Sequence, residues 1–531
     1  MTAVNAMFAL GCEFSDHPPE EKEAAAAMFF ERTRALMKMD LLENGSLAHV
    51  QALLLVGQYL TCTHYPTQCW NIVGFACRMA IGLGLQSSRN DAGLSDLELE
   101  VRRRTWYGCV QMDMTVSMTL GRPPSVYMTE EVPLPRAIDD EFLGLDRENA
   151  SQPPDLPSQL LFTRHNIKCA TVLGTILRTL YYPSVEARPA YQQLRSRRSP
   201  VSTVDEDLHS ILQLDSQLEE LANQVPEPLR WDRTDLPAGL DERGRILRRQ
   251  TNVLHARYLH TKILLYRPSF TSFCAGAHAH PKEPAAESPK YRQPASLSNS
   301  LQFNTAVDCV RIACALVESV KNATIADVTG AWWFRVFYLL TCSVIIIIAD
   351  CTPPLRRKLG STMLDKAWDD CIEALSLIGQ KSLRAESYLR SLQLLRQRSL
   401  AMVQNASRVR SRQPSTAYPT RPGTPMAPAQ PSQQQHNREN EARLTPNDVV
   451  HSEPDNTAQG PAMNEQHQEQ NAQQHPHDGE WTDSFDEFTD FDFDIPALLG
   501  SWEADLNDMH AGGHGAGPGL NSLGYSVSAF L

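Results

Sequence analysis

Apolar residues recur at helical spacing from about residue 45 to residue 405, and convincing alternation at period two is absent. A stripe repeating every 3.6 residues can be buried only by packing helix against helix, so the rhythm constrains the fold class before any motif is considered. "SLAHVQALLLVGQYL" opens after Asn44-Gly45, with Ser46 as the N-cap and Leu47, Val50 and Leu54 repeating behind it. "TQCWNIVGFACRMAIGLGL" carries Trp70, Val73, Cys77 and Ile81 on one stripe and ends at Gly82 and Gly84. "LLFTRHNIKCATVLGTILRTLYY", "DLHSILQLDSQLEELANQV", "ILRRQTNVLHARYLHTKILLYRP", "FNTAVDCVRIACALVESV" and the Trp332–Ala349 stretch read the same way, with two more helices before residue 405. The expectation is an all-α body over residues 1–404, with loops near 183–203 and 271–299. Its most apolar run, "VFYLLTCSVIIIIA" from Val336 to Ala349, has 14 residues, too short for a bilayer, and reads as a buried helix.

Beyond residue 405 the composition shifts. Residues 405–477 hold Gln, Asn, Pro, Ser and His with almost no large apolar side chain, which predicts a disordered linker. Residues 478–508 then hold 11 acidic residues and no Lys or Arg, so the rest of the chain accounts for only −2 of the net −13. Within that stretch Phe485, Phe488, Phe491 and Phe493 alternate with Asp and Glu, followed by Leu498, Leu499 and Trp502. Like charges keep the segment from collapsing on its own aromatics and leave them available to a partner groove. A Gly-rich flexible terminus, residues 509–531, closes the chain.

Several functions find no support. The net charge of −13 argues against coating nucleic acid by bulk electrostatics. The 12 cysteines lie in apolar stretches with no C-x-x-C, which suits buried thiols in a reducing compartment better than disulfides or a zinc module. Cys62, Cys69 and Cys77 in particular read as core thiols. No secretory leader, H-E-x-x-H, phosphate-binding loop or G-x-S-x-G elbow occurs. "DDEF", Asp139 to Phe142, lacks the further aspartate of a D-D-x-x-D metal site. The expectation is therefore no catalytic residue, no metal, no cofactor in this chain and no membrane partner. The basic tracts Arg195–Arg198 and Arg408–Arg412 read as solvated loops or as aids to nuclear import.

The stretch "LELEVRRRTWYGCVQMDMTVSMTLGRPPSVYM", residues 97–128, carries the most information. Ser95 with Glu98 forms a capping-box pattern at its start, and Gly121 followed by Pro123 and Pro124 stops the helix. Glu98 with Arg102 and Glu100 with Arg104 are spaced as exposed i,i+4 pairs, each worth a few tenths of a kcal/mol. Arg103 shares a core-facing stripe with Leu99, Trp106, Val110 and Asp113. The arginines suit a solvated face, a DNA contact or a structural role, and the flanking glutamates weigh against phosphate. A structural role for Arg103 and Asp113 follows, each seeking a partner on a neighbouring helix because an unpaired buried charge is costly.

These motifs in series resemble the regulatory "middle homology" region of fungal transcription factors that carry a binuclear zinc cluster. "VQALLLVGQYL", "CWNIVGFACRMAIGLGL", "ELEVRRRTWYGCVQMD", "LGRPPSV" and "EVPLPRAIDDEF" carry the resemblance, with "LHARYLHTKILLYRP" and "WWFRVFYLLTCSVIIIIAD" farther on. It covers about residues 5–400 and marks Arg102, Arg103, Arg104, Trp106, Asp113, Gly121, Arg122 and Pro123 as signature positions. It implies a nuclear regulator of RNA polymerase II genes whose acidic segment activates transcription through coactivators, as against a solubilising tail. DNA would be reached through a missing module or a partner protein, and a homodimer is a further partner the resemblance allows. The family's six cysteines, which hold two zinc ions and present a helix to the major groove, do not occur here. The resemblance also places the first helices of the regulatory region upstream of Met1. Either the reading frame is truncated or the chain is a regulator without its own DNA-binding module. The alternative from another class is an all-α enzyme or small-molecule-binding protein with a cavity between its helices.

Overall fold

The helical rhythm is realised as thirteen α-helices among the described residues, where no strand occurs. The computed structural model describes residues 1–37, 45–63, 65–126, 131–143, 150–182, 201–232, 241–278 and 297–412. Contacts divide the chain into two units, and the described residues as far as Arg408 belong to the first. The linker from residue 413 on, the acidic segment with Phe485, Phe488, Phe491, Phe493, Leu498, Leu499 and Trp502, and the Gly-rich terminus lie outside the described residues.

Helices α1 (Thr2–Glu13) and α2 (Pro19–Leu36) pair with each other, and α1 rests on α3 (Leu47–Leu60). Ser46 caps α3 as its sequence predicts, accepting the N–H of His49 at 3.4 Å. Helix α4 (Pro66–Gly82) packs on α3 and on α5 (Asp96–Leu120). Glycines permit the close approach of these helices: a Cβ on Gly108 would lie 3.1 Å from Leu54 Cδ1. Helix α6 (Leu160–Ile176) joins α5 to the second half, which comprises α7 (Val201–Asn223), α8 (Glu242–His278), α9 (Leu297–Ile325), α10 (Trp332–Cys351), α11 (Pro353–Leu359), α12 (Ser361–Gly379) and α13 (Leu383–Arg412). There α8 lies along α9, and α9 packs in turn on α10 and α12. One large apolar core runs through both halves, from Ala6 on α1 to Leu395 on α13.

Four boundaries differ from the sequence expectation. Helix α8 continues through Pro268 to His278 instead of yielding to a loop at residue 271. Phe270 and Cys274 are buried in the core, and their packing outweighs the helix hydrogen bond that the proline lacks. Helix α7 begins at Val201, inside the loop expected to end at 203, and α13 runs to Arg412, past residue 404. Helix α10 starts at Trp332 as expected and runs two residues past Ala349 to Cys351, a 20-residue span long and apolar enough to cross a membrane by length and composition. Its buried Asp350 is met by Arg356 Nε at 3.3 Å. Within this unit α10 packs against α8, α9 and α12, and Leu339, Ile345, Ile346 and Ile347 are buried.

Candidate regulatory site

Helix α5 positions most of the signature residues, and its sequence explains how. Ser95 Oγ accepts the N–H of Glu98 while the Glu98 carboxylate accepts the N–H of Ser95 at 2.9 Å, the reciprocal cap expected of that spacing. At the other end Gly121 takes φ 60° and ψ 38°, a left-handed conformation that glycine adopts without a Cβ penalty. The chain then turns back along α5, and side chains one to two turns apart hold its backbone. Asp113 Oδ2 accepts the N–H of Ser125 at 2.8 Å and of Val126 at 2.9 Å. Tyr107 donates to the Val132 carbonyl at 2.5 Å, and Arg104 Nη2 to the Ile138 carbonyl at 2.9 Å. Glu100 accepts the Arg136 N–H at 3.0 Å. Thirteen residues of helix separate Asp113 from Glu100, so the fastened strip is on the order of 20 Å long.

Asp113 is 1% exposed, as a core-facing position requires. Its partners correct the expectation of a charge on a neighbouring helix: two backbone N–H groups of the Gly-Arg-Pro-Pro turn stabilise it instead. Burial raises its pKa, and the bonds from Val126 and Ser125 act against that rise. The two i,i+4 pairs also differ from expectation. Glu98 is spent on the cap, and Arg102 Nη2 donates to the Leu83 carbonyl at 3.2 Å. Glu100 is 0% exposed, and Arg104 Nε meets it at 2.9 Å while also reaching Asp140, so this pair is an internal strut. Arg103 is half-buried, with Nε unpartnered among the described residues. Trp106 is buried, Arg122 lies 5.3 Å over the Trp70 ring, and Pro123 is exposed in the turn.

Glu100 and Asp139 are structural residues that sequence reasoning placed elsewhere. Asp139 opens the "DDEF" motif and serves as a junction, accepting from Ser158 Oγ at 2.8 Å, the Gln159 N–H at 2.8 Å and Arg243 of α8 at 2.5 Å. Burial pushes its carboxyl up, but Ser158, Arg243 and the Gln159 N–H together hold it below the usual carboxylate range. The preceding Pro-broken loop was the available signal: an acidic residue after such a loop is placed to gather backbone N–H groups.

Phe334 lines three of the cavities between the helices. The largest of these three, about 150 Å³, is bounded by the end of α3, the start of α4, the last turns of α5, and by α10 and α13. A second, about 30 Å³, meets Gln111, Asn166, Arg257 and His260, and a third, about 40 Å³, meets Asn252, Arg257 and Arg335. Arg257 donates to Asn166 Oδ1 at 2.6 Å and lies 5.5 Å over Phe334, while Asn166 donates to Gln111. His260 is fully buried beside Phe337 and Tyr338, and burial, helped by Arg267, pushes its pKa down to about 3. Burial lowers Arg335 to about 10 and raises Cys69, on the largest cavity, to about 12, so that thiol stays protonated. Among the described residues no group of three His, Cys, Asp or Glu is placed to hold a metal. The arrangement suits occupancy by a small uncharged molecule and offers no paired acid and base.

A helical body with cavities between its helices is what this geometry defines. Residues 1–223 match the fungal specific transcription factor domain. The chain is 27% identical over 381 residues to the sorbicillinoid biosynthetic cluster transcription factor 2 of Penicillium rubens, covering 70% of this chain and 50% of that one. It is 23% identical over 431 residues to the transcription regulator galc of Aspergillus niger, covering 72% and 50%. To the nitrogen assimilation transcription factor nirA of Emericella nidulans it is 28% identical over 285 residues, covering 50% and 28%. The chain thus spans about half the length, or less, of these curated relatives. No solved structure matches it. Neither the relatives nor the buried site supports the enzyme reading.

Proposed function

We propose that this chain is the regulatory body of a nuclear fungal transcription regulator and acts without enzymatic turnover. The observation that carries this reading is the fungal specific transcription factor domain over residues 1–223, together with relatives that are themselves transcription factors. In this reading residues 1–404 are the regulatory domain, 405–477 a linker, 478–508 an activation segment and 509–531 a flexible terminus. Of the signature residues, Asp113 fastens residues 125 and 126 to α5 and Arg104 fastens residue 138, Gly121 makes the turn, and Arg102, Trp106 and Arg122 hold α5 and its turn in the surrounding body. DNA is engaged through a further module or a partner protein, and a second copy of the chain is a candidate partner. The acidic segment reaches coactivators by presenting Phe485, Phe488, Phe491 and Phe493, with Leu498, Leu499 and Trp502, to an apolar groove.

The test is a fusion of residues 478–508 to an unrelated DNA-binding domain with a reporter gene. The fusion drives expression, replacing the four phenylalanines by Ala abolishes it, and replacing one Asp changes it little because the charge is distributed. A silent fusion, or an alanine variant as active as its parent, overturns the activation role. A fluorescent fusion of the full chain that stays out of the nucleus under all growth conditions overturns the localisation.

A further inference from the structure

We propose that the largest of the three cavities lined by Phe334 is a ligand site for an uncharged single aromatic ring bearing a hydroxyl group, a simple phenol being the minimal case. Its volume, about 150 Å³, matches that of cavities known to admit one benzene ring. Four aromatic side chains of α10 border it, Trp332, Trp333 and Phe334 from the first turn and Phe337 from the next, and aromatic faces stack on a flat ring. Among the described residues no Asp, Glu, Lys, Arg or His lines the cavity, and a charged ligand that enters without a counter-ion is disfavoured.

The polar atoms of the lining set the ligand's hydrogen-bonding pattern. Thr61, Thr63, Thr115 and Thr119 each donate their hydroxyl hydrogen to a carbonyl of their own helix or turn, at 2.6, 2.8, 2.7 and 2.8 Å. The Cys62 thiol likewise donates to the Tyr59 carbonyl, and the Cys69 thiol of α4 donates across to the Gly57 carbonyl of α3. With their donors committed, these groups can only accept from a guest. The indole N–H of Trp332 is likewise committed, to Glu13 at 3.2 Å. A phenolic hydroxyl fits this lining by donating to a threonine oxygen, whereas a plain hydrocarbon ring fills the space without such a bond. Because the cavity touches α3, α4, α5, α10 and α13, an occupant stabilises the junction between the two halves of the body.

The test uses the full chain and three matched probes, 4-methylphenol, toluene and 4-methylbenzoate, read by tryptophan fluorescence titration and thermal shift. The expected order is 4-methylphenol tighter than toluene, with no response to the carboxylate. Thr115→Val with Thr119→Val keeps the volume and removes two acceptors, so it weakens 4-methylphenol by about five- to tenfold and leaves toluene unchanged. Val116→Phe fills the cavity and abolishes both responses; should that variant not fold, the threonine pair carries the test alone. No response to either neutral ring, an equal response to the carboxylate, or a threonine variant that binds both rings as the parent does overturns the proposal.

Discussion

The Asp113 carboxylate and the Ser125 N–H, twelve residues apart in sequence, stand 2.8 Å from each other, and the same oxygen takes the Val126 N–H at 2.9 Å. One buried side chain thereby closes the turn that sends the chain back along α5. Its removal leaves the buried Val126 N–H and the more exposed Ser125 N–H without their acceptor. Asp113→Ala is expected to destabilise the chain by about 3 kcal/mol, and Asp113→Asn, which retains an acceptor oxygen, by about 1 kcal/mol. Urea melts of the full chain check the order, and equal small effects at both substitutions would show that the turn holds itself.

Arg104 is expected to matter as much. Arg104→Ala leaves the fully buried Glu100 carboxylate with only the Arg136 N–H, a loss of about 3 kcal/mol or more. Adding Glu100→Gln to that variant removes the stranded charge and restores part of the stability. A double-variant cycle measures the coupling. Strict additivity would contradict the strut.

Gly121 tests backbone conformation alone. At φ 60° a Cβ is strained, so Gly121→Ala costs about 1 kcal/mol, while Gly121→Asn costs less because asparagine tolerates this region. Thermal unfolding distinguishes the two, and an alanine variant as stable as the parent refutes the assignment.

Acid sensitivity follows from three histidines, of which His255 and His260 are shifted furthest and His165 is lowered as well. Burial pushes His255 down to about 4 and His260 down to about 3, from an ordinary value of 6.5. Both pKa values are depressed in the folded state, so their neutral forms contribute stability that is complete above pH 6.5. That contribution is lost as pH falls from 6.5 toward 4 and below, where the unfolded chain takes up protons that the folded chain refuses. The slope is on the order of 1.4 kcal/mol per pH unit for each histidine, an upper bound where solvent reaches the ring. Melts between pH 7 and 5 should show it, and His260→Gln should reduce it by about a third to a half. An unchanged slope in that variant would mean that His260 is not the group responsible.

What the sequence determined by itself is local. Helical spacing placed the helices, Ser46 and Ser95 with Glu98 announced two N-termini, and Gly121 before two prolines announced a stop, because caps and stops act within a few residues. Helix ends decided by packing were less legible: Pro268 lies inside α8 because Phe270 and Cys274 are buried beyond it. The same division runs through the site. Period 3.6 identified Asp113 as core-facing, yet it carries no information about where residues 125 and 126 return, so a partner helix was expected where a backbone turn stands. Glu100 and Arg104 have the spacing of a surface pair, and only the returning 131–143 segment, laid over them, makes Glu100 an interior carboxylate. The cavity beside Trp333 is likewise invisible in sequence, since helices distant in the chain supply its walls. Spacing fixes which face of a helix is apolar; only tertiary packing decides what covers that face, and therefore which charges are buried and which spaces stay open.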